Sequence, residues 1–340
     1  MSFEFAPGVN IIVGPNASGK TNLLEAVLVT AHGQSYRAKD AELIAFAKPW
    51  ARLAATLEDG ERVVKLVRQP ASKSYDIAGK TYQRLSLQHT LPVVLFEPNH
   101  LLLLGGAPEE RRNYLDDLLE QTVAGYGSVR RNYRRVLRQR NSLLKRAKRP
   151  NNQELFPWNL RLSELGAVVA RRRIELAAQI NKAVGARYKN LSGSKLATEF
   201  VYQPQFQAEA YESQFLHTLE QKLATDLERG FTGSGPHRED FSALFAGRPA
   251  SESASRGETR TYVLALKIIE LEILETIRGT RPLLLLDDVF SELDGKRRHA
   301  LTDQLKTYQT FITTTDADII QKAFTTKAQI IPLGNQSNSH

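Results

Sequence analysis

Gly14, Pro15, Asn16, Ala17, Ser18, Gly19, Lys20 and Thr21 satisfy every fixed position of the phosphate loop G-x-x-x-x-G-K-[ST]. The loop follows the apolar run Val9–Val13, which reads as a buried strand, and precedes residues 21–30, which read as a helix. The chain must therefore build a strand, a tight turn and a helix in succession. Gly14 and Gly19 let bare backbone N–H groups close around an anion, and the helix start adds positive partial charge. Lys20 is placed to reach the outer phosphates and the Thr21 hydroxyl to ligate Mg²⁺. This predicts an α/β protein that binds ATP or GTP.

Composition narrows the class further. Apolar runs such as 101–104 and 283–286 are far short of the about 20 residues of a membrane span. No basic stretch followed by an apolar core marks a signal peptide. The absence of cysteine excludes disulfides and thiolate metal sites and fits a cytoplasmic setting. A net charge of +9 fits a polyanionic partner, an anionic lipid surface or simple solubility, and charge alone does not choose among them.

Along the chain, residues 51–57 and 61–68 flank Asp59-Gly60 as a hairpin, residues 75–82 predict a third strand around Gly79, and residues 91–96 a short buried strand. From Glu109 apolar residues recur at three- and four-residue steps. Pro150-Asn151-Asn152 breaks that pattern, and Leu162, Leu165, Val169, Leu176, Ile180 and Val184 resume it at near-heptad spacing. The two helices are expected to pair as a compact antiparallel arm of a few turns. Strands over 196–202, 240–245, 283–286 and 311–315, and helices over 211–229, 259–277 and 296–305, complete the pattern. These elements predict a head formed by residues 1–105 and 191–333, an arm over 106–190, and a frayed tail over 334–340.

Residues Leu283–Leu286 lead into Asp287 and Asp288, an apolar strand delivering two carboxylates at its C-terminal end, the Walker B pattern. Asp287 is the candidate metal carboxylate, and Asp288 the candidate that orients and activates the attacking water. Ser255-Arg256-Gly257 opens the helix around Thr259, where a hydroxyl and backbone N–H groups can meet an anion. Phosphate loop, insertion, Ser-x-Gly turn, Walker B and then Ser291–Asp294 is the order of an ABC-type ATPase.

Residues 14–26, 91–98, Glu110-Arg111-Arg112, 137–141, Gly235-Pro236-His237-Arg238, 283–294 and 312–316 together resemble the RecF family of SMC-like ABC-type ATPases over nearly the whole chain. The resemblance implies an ABC-type head with a mixed sheet and a helical arm. It also implies an ATP-dependent homodimer and slow, DNA-stimulated hydrolysis. Double-stranded or gapped DNA is the implied partner, with RecR, and RecO and RecA in the same pathway. On this resemblance Ser255 and Gly257 cap the γ-phosphate held by the opposing subunit, Ser291–Asp294 lie near that opposing site, and Asn16 orients water. Two features depart from the family pattern: the sequence starts too close to Pro7 to hold the extra strand expected there, whether by truncation, a misplaced start or real loss, and Arg256 and Glu258 stand in the signature turn, where Gln often follows the glycine.

The first arm helix carries Arg130, Arg131, Arg134, Arg135, Arg138, Arg140, Lys145, Arg146, Lys148 and Arg149, and the second Arg171, Arg172 and Arg173. Arg131, Arg135 and Arg138 share one helical face, as do Arg130 and Arg134. Few acids alternate with them, which predicts phosphate contacts through Arg131, Arg134, Arg135 and Arg138. His237 is expected to position its loop rather than to act as a general base. The competing class is the nucleotide-binding subunit of an ABC transporter. Against it stand the helical insertion and the missing switch histidine at Thr313-Thr314-Thr315. A GTPase lacks support because no Asn-Lys-x-Asp motif occurs.

Overall fold

A computed structural model of the chain describes residues 1–58, 60–146, 151–315 and 328–334. Asp59, Lys148, Arg149, Asp316 and the tail from residue 335 lie outside the described residues. In chain order, β1 (Val9–Val13) leads through the phosphate loop into α1 (Lys20–His32). That helix stops at Gly33, whose left-handed φ of 86° lets its N–H close onto the Val29 carbonyl at 2.8 Å. Then come β2 (Trp50–Leu57), β3 (Gly60–Val67), β4 (Ser72–Ile77), β5 (Lys80–Tyr82) and β6 (Val93–Phe96). Where one strand was expected over 75–82, the left-handed pair Ala78-Gly79 folds the chain into the β4–β5 hairpin.

The helical stretch that follows is α2 (Pro108–Thr122), α3 (Tyr126–Leu144) and α4 (Asn152–Ser192). Left-handed Gly125 separates α2 from α3, so the first arm helix is two helices. Asn151 caps α4 by accepting from the Glu154 N–H, and the helix then runs 41 residues to Gly193, well beyond a few turns. Next are β7 (Thr198–Gln203), α5 (Tyr211–Gln221), α6 (Leu223–Arg229), β8 (Asp240–Phe245), β9 (Arg248–Pro249), α7 (Ala250–Ser253) and α8 (Arg256–Arg278). Lys222 splits the helix expected over 211–229. The chain closes with β10 (Leu283–Asp287), α9 (Gly295–Leu305), β11 (Thr310–Thr314) and β12 (Gln329–Pro332).

Two compact units emerge, residues 1–100 with 270–340, and residues 101–269. Residues 191–269, which the sequence groups with the head, share the second unit with the long helices. In the first unit β12-β1-β11-β10-β6 form an all-parallel sheet, and β2-β3-β4-β5 an antiparallel one. Ile12, Leu24, Leu285 and Phe311 are buried in one cluster, packing α1 onto the parallel sheet. Each such side chain contributes about 1.5–3 kcal/mol by leaving water.

In the second unit α3 and α4 run antiparallel: Tyr133 approaches Gly166, and seven residues later Arg140 bonds Asn159. A Cβ on Gly166 would lie 2.8 Å from the Phe215 ring, so only glycine lets α5 pack there. Arg140 is wholly buried, donating to Asn159 Oδ1 at 2.7 Å, Asp226 Oδ2 at 2.8 Å and Thr232 Oγ1 at 2.7 Å. Replacing it with Met should destabilise this unit by about 3–5 kcal/mol, because Asp226 would be left buried without its cation. The check is the urea midpoint of the corresponding unfolding transition, with a preserved midpoint counting against the network.

Candidate functional site

Register in the parallel sheet assembles the candidate nucleotide site. Val13 pairs with Thr314 and Asp287 with Thr313, so the C-terminal ends of β1, β11 and β10 lie side by side. This is the edge where parallel sheets present ligand sites. Gly14 leaves β1 with its N–H on the Thr314 carbonyl at 3.3 Å. A Cβ on Gly14 would stand 2.4 Å from the Leu333 carbonyl oxygen and 2.6 Å from Ser18 Oγ, so the sharp turn admits no side chain.

Within the loop, Lys20 Nζ donates to the Gly14 and Pro15 carbonyls at 2.8 and 2.9 Å. Ser18 Oγ is buried without a hydrogen-bond partner among the described residues. Cationic and polar donors converging at a helix start fit a polyphosphate. Thr21 Oγ1 donates to Asp287 Oδ1 at 3.1 Å across 266 residues of sequence. A hydroxyl and a carboxylate at that separation are the hard oxygen donors that Mg²⁺ takes.

Asp288 is exposed and holds the left-handed conformation, φ 53° and ψ 19°. Its N–H donates to Thr313 Oγ1 at 2.9 Å. Asp is among the few non-glycine residues that adopt this conformation readily, and the bond to Thr313 fixes it here. After it, residues Val289–Glu292 form one 3₁₀ turn, and Asp294 caps α9 by accepting from the Arg297 N–H at 2.9 Å.

Two residues of this cluster were not foreseen. Thr313 Oγ1 donates to Asp287 Oδ1 at 2.6 Å, and Tyr36 O–H donates to Asp287 Oδ2 at 3.1 Å. Burial and the neighbouring Asp287 push the Tyr36 phenol well above its ordinary range, so it stands as a neutral donor. The run Thr313-Thr314-Thr315 held the signal for the first; nothing in the spacing of Tyr36 marks it.

The signature turn closes on itself as a capping box. Ser255 N–H donates to Glu258 Oε2 at 2.8 Å, and Glu258 N–H donates to Ser255 Oγ at 3.3 Å. The Ser255 N–H bond holds the Glu258 carboxyl below its usual range. Glu258 thus fulfils an accepting role within its own chain.

The arginines of α3 divide into two sets. Arg131, Arg134, Arg135 and Arg138 are exposed, and steps of three and four residues put all four on one stripe. Arg134 donates to Asn113 Oδ1 at 3.0 Å and Arg131 to Ser128 Oγ at 3.0 Å. Arg130, Arg140 and Arg173 are buried and do not join that surface. Arg130 meets Asp116, Asp117 and Glu120 within 3.0 Å, and Arg173 grips both oxygens of Asp116 at 2.8 and 2.9 Å. The acids that pair with them come from α2 and α6, so distance in sequence hid the partnership.

Arg111 likewise makes a two-pronged bond to Asp240, at 2.8 and 2.7 Å. His237 lies between the Tyr133 hydroxyl at 2.7 Å and the Thr232 carbonyl at 3.0 Å. Burial depresses its pKa to about 4, and both ring nitrogens are engaged in holding the loop. No group of His, Asp or Glu able to hold a metal by itself occurs among the described residues, nor does a helix long and apolar enough to cross a membrane.

Comparison with known proteins agrees with this architecture. The family model described as RecF/RecN/SMC N terminal domain matches residues 1–337. The DNA replication and repair protein RecF of Acaryochloris marina is 36% identical over 345 aligned positions, covering 96% of this chain and 92% of the relative. A solved structure of the recombination mediator protein RecF-ATPrS in the RecFOR pathway superposes with a TM-score of 0.87 at 28% identity, covering 98% of this chain and 94% of that one. The corresponding RecF-ATP structure gives 0.79 at 30% identity, covering 92% and 87%.

Proposed function

The chain belongs to the RecF family of SMC-like ATPases, and from that premise we propose that it is an ATP-dependent DNA-binding protein of recombinational gap repair. The observation that carries the reading is the meeting of Thr21, Asp287 and the phosphate loop at one sheet edge, in a chain that also exposes a stripe of four arginines. ATP is the substrate. On its arrival Lys20 exchanges the Gly14 and Pro15 carbonyls for phosphate oxygens, and the loop N–H groups and Ser18 hydroxyl donate to the same anion. Mg²⁺, held by Thr21 and Asp287, would offset the charge of the β- and γ-phosphates. Asp288 orients the attacking water and accepts its proton.

A second copy completes the site, its Ser255 and Gly257 capping the γ-phosphate. Closure is favoured because ATP binds the closed dimer more tightly than the open chains, and hydrolysis releases it. The closed dimer holds duplex DNA near gaps and assists RecA loading together with RecR, with RecO in the same pathway. DNA contact raises a slow intrinsic ATPase rate.

The arginine stripe reads phosphates rather than bases, so binding should be sequence-tolerant and salt-sensitive. Reversing Arg134 and Arg138 to Glu should weaken duplex binding by an order of magnitude or more, and flatten the log–log salt slope by about 2. Both are measured by fluorescence anisotropy across a salt series, with ATP affinity as the control. Unchanged DNA affinity would remove α3 as the contact surface.

A further inference from the structure

Asp287 is held at both of its oxygens. Oδ1 accepts from Thr21 and Thr313, and Oδ2 accepts from Tyr36. Tyr36 lies far from Walker B in sequence but just beyond the end of α1, and its segment folds back onto that helix, which carries Thr21. Glu25, one turn along α1 from Thr21, is buried and receives the Ser35 hydroxyl. It also takes Arg37 Nε at 3.2 Å and an Arg37 terminal nitrogen at 3.1 Å, and that same nitrogen reaches Asn22 Oδ1 at 2.7 Å. Ser35 Oγ accepts from the Arg37 and Ala38 N–H groups at 3.1 and 2.8 Å, locking the turn from within. At its other end the Tyr75 hydroxyl bonds the Gly33 carbonyl at 3.1 Å. The Tyr36 ring itself packs against the buried cluster under the sheet.

We propose that Tyr36 is a positioning residue for the metal carboxylate, its O–H holding the outer oxygen of Asp287 so that the inner oxygen faces Thr21. The inference rests on the reading of Asp287 as a Mg²⁺ ligand. A carboxylate at the end of a strand can rotate about its terminal bond, and that rotation would carry Oδ1 away from Thr21. Thr313 restrains Oδ1 alone. The phenol restrains the second oxygen, and its rigid ring and anchored loop leave it little freedom to follow a rotation. Because Ser35 and Arg37 are clamped to α1, the two hydroxyls from residues 21 and 36 share one rigid support. Outer donors of this kind hold metal affinity and geometry together, and their loss commonly costs 10–100-fold in either.

The test is Tyr36→Phe, which keeps the ring and the loop anchors and removes one oxygen. Mn²⁺ serves as the probe, its binding to the full chain with a non-hydrolysable ATP analogue followed by electron paramagnetic resonance. Tyr36→Phe should weaken Mn²⁺ binding about 10-fold or more. Nucleotide affinity measured in EDTA should stay within twofold of the parent chain. Mn²⁺ affinity within twofold of the parent would overturn the proposal, as would an equal loss of metal-free nucleotide affinity, which would make Tyr36 a packing residue of the loop. Asp287→Asn run alongside separates the two levels. If that variant also keeps its Mn²⁺, the reading of Asp287 fails and carries the proposal with it. If Asp287→Asn loses the metal and Tyr36→Phe does not, only the role of Tyr36 fails.

Discussion

Asp288→Asn should retain ATP and lose its hydrolysis, with kcat falling on the order of 10²–10⁴-fold. The choice of Asn follows from the backbone. Asp288 holds a left-handed φ of 53°, which Asn adopts readily and a β-branched residue does not. Its N–H bond to Thr313 Oγ1 survives the change, since it comes from the main chain. What disappears is the ability to take a proton from water. Single-turnover phosphate release measures the loss, and fluorescence of a labelled ATP measures retention. Hydrolysis at the parental rate would assign the water-activating role to another carboxylate.

Lys20→Ala should act one step earlier, on binding. The ammonium supplies two hydrogen bonds to loop carbonyls in the nucleotide-free chain, and these are replaced by charge-assisted bonds to phosphate. Charged bonds of this kind are worth roughly 1.5–3 kcal/mol each, so removing the donor of two should raise the Kd for ATP by about 10²–10⁴-fold. The Pro15 carbonyl it leaves is exposed to water, so the fold should lose little stability. Isothermal titration with ATP and Mg²⁺, alongside a thermal melt, separates the two effects. A Kd within a few-fold of the parent would mean that the backbone cradle and Ser18 hold the phosphates unaided.

Much of this site was legible in the sequence because its parts are local. Gly14–Thr21 carries its own turn, donors and helix start, and Leu283–Asp288 its own strand and carboxylates. Their meeting required only that β1 and β10 flank β11 in one parallel sheet. Thr313 and Tyr36 were not legible, because their roles depend on register and on a loop clamped from Glu25. The buried arginines show the same limit from the other side. Arg130, Arg140 and Arg173 look no different in sequence from Arg131 or Arg134, and only the approach of Asp116 and Asp226 sets them apart. Helix lengths followed similar logic. Gly125 and Lys222 break helices that periodicity alone would continue, while the long α4 runs through Pro157 in its early turns and the crowded Gly166.

On the proposed function, bound ATP switches this chain onto DNA. The most direct test of that switch is the anisotropy of a labelled duplex titrated with Asp288→Asn, with and without ATP and Mg²⁺, at low and moderate salt. Binding should appear with ATP, weaken as salt rises and weaken by an order of magnitude or more when Arg134 and Arg138 are reversed. Equal DNA affinity with and without ATP, or no binding in either state while ATP itself is bound, would contradict the switch.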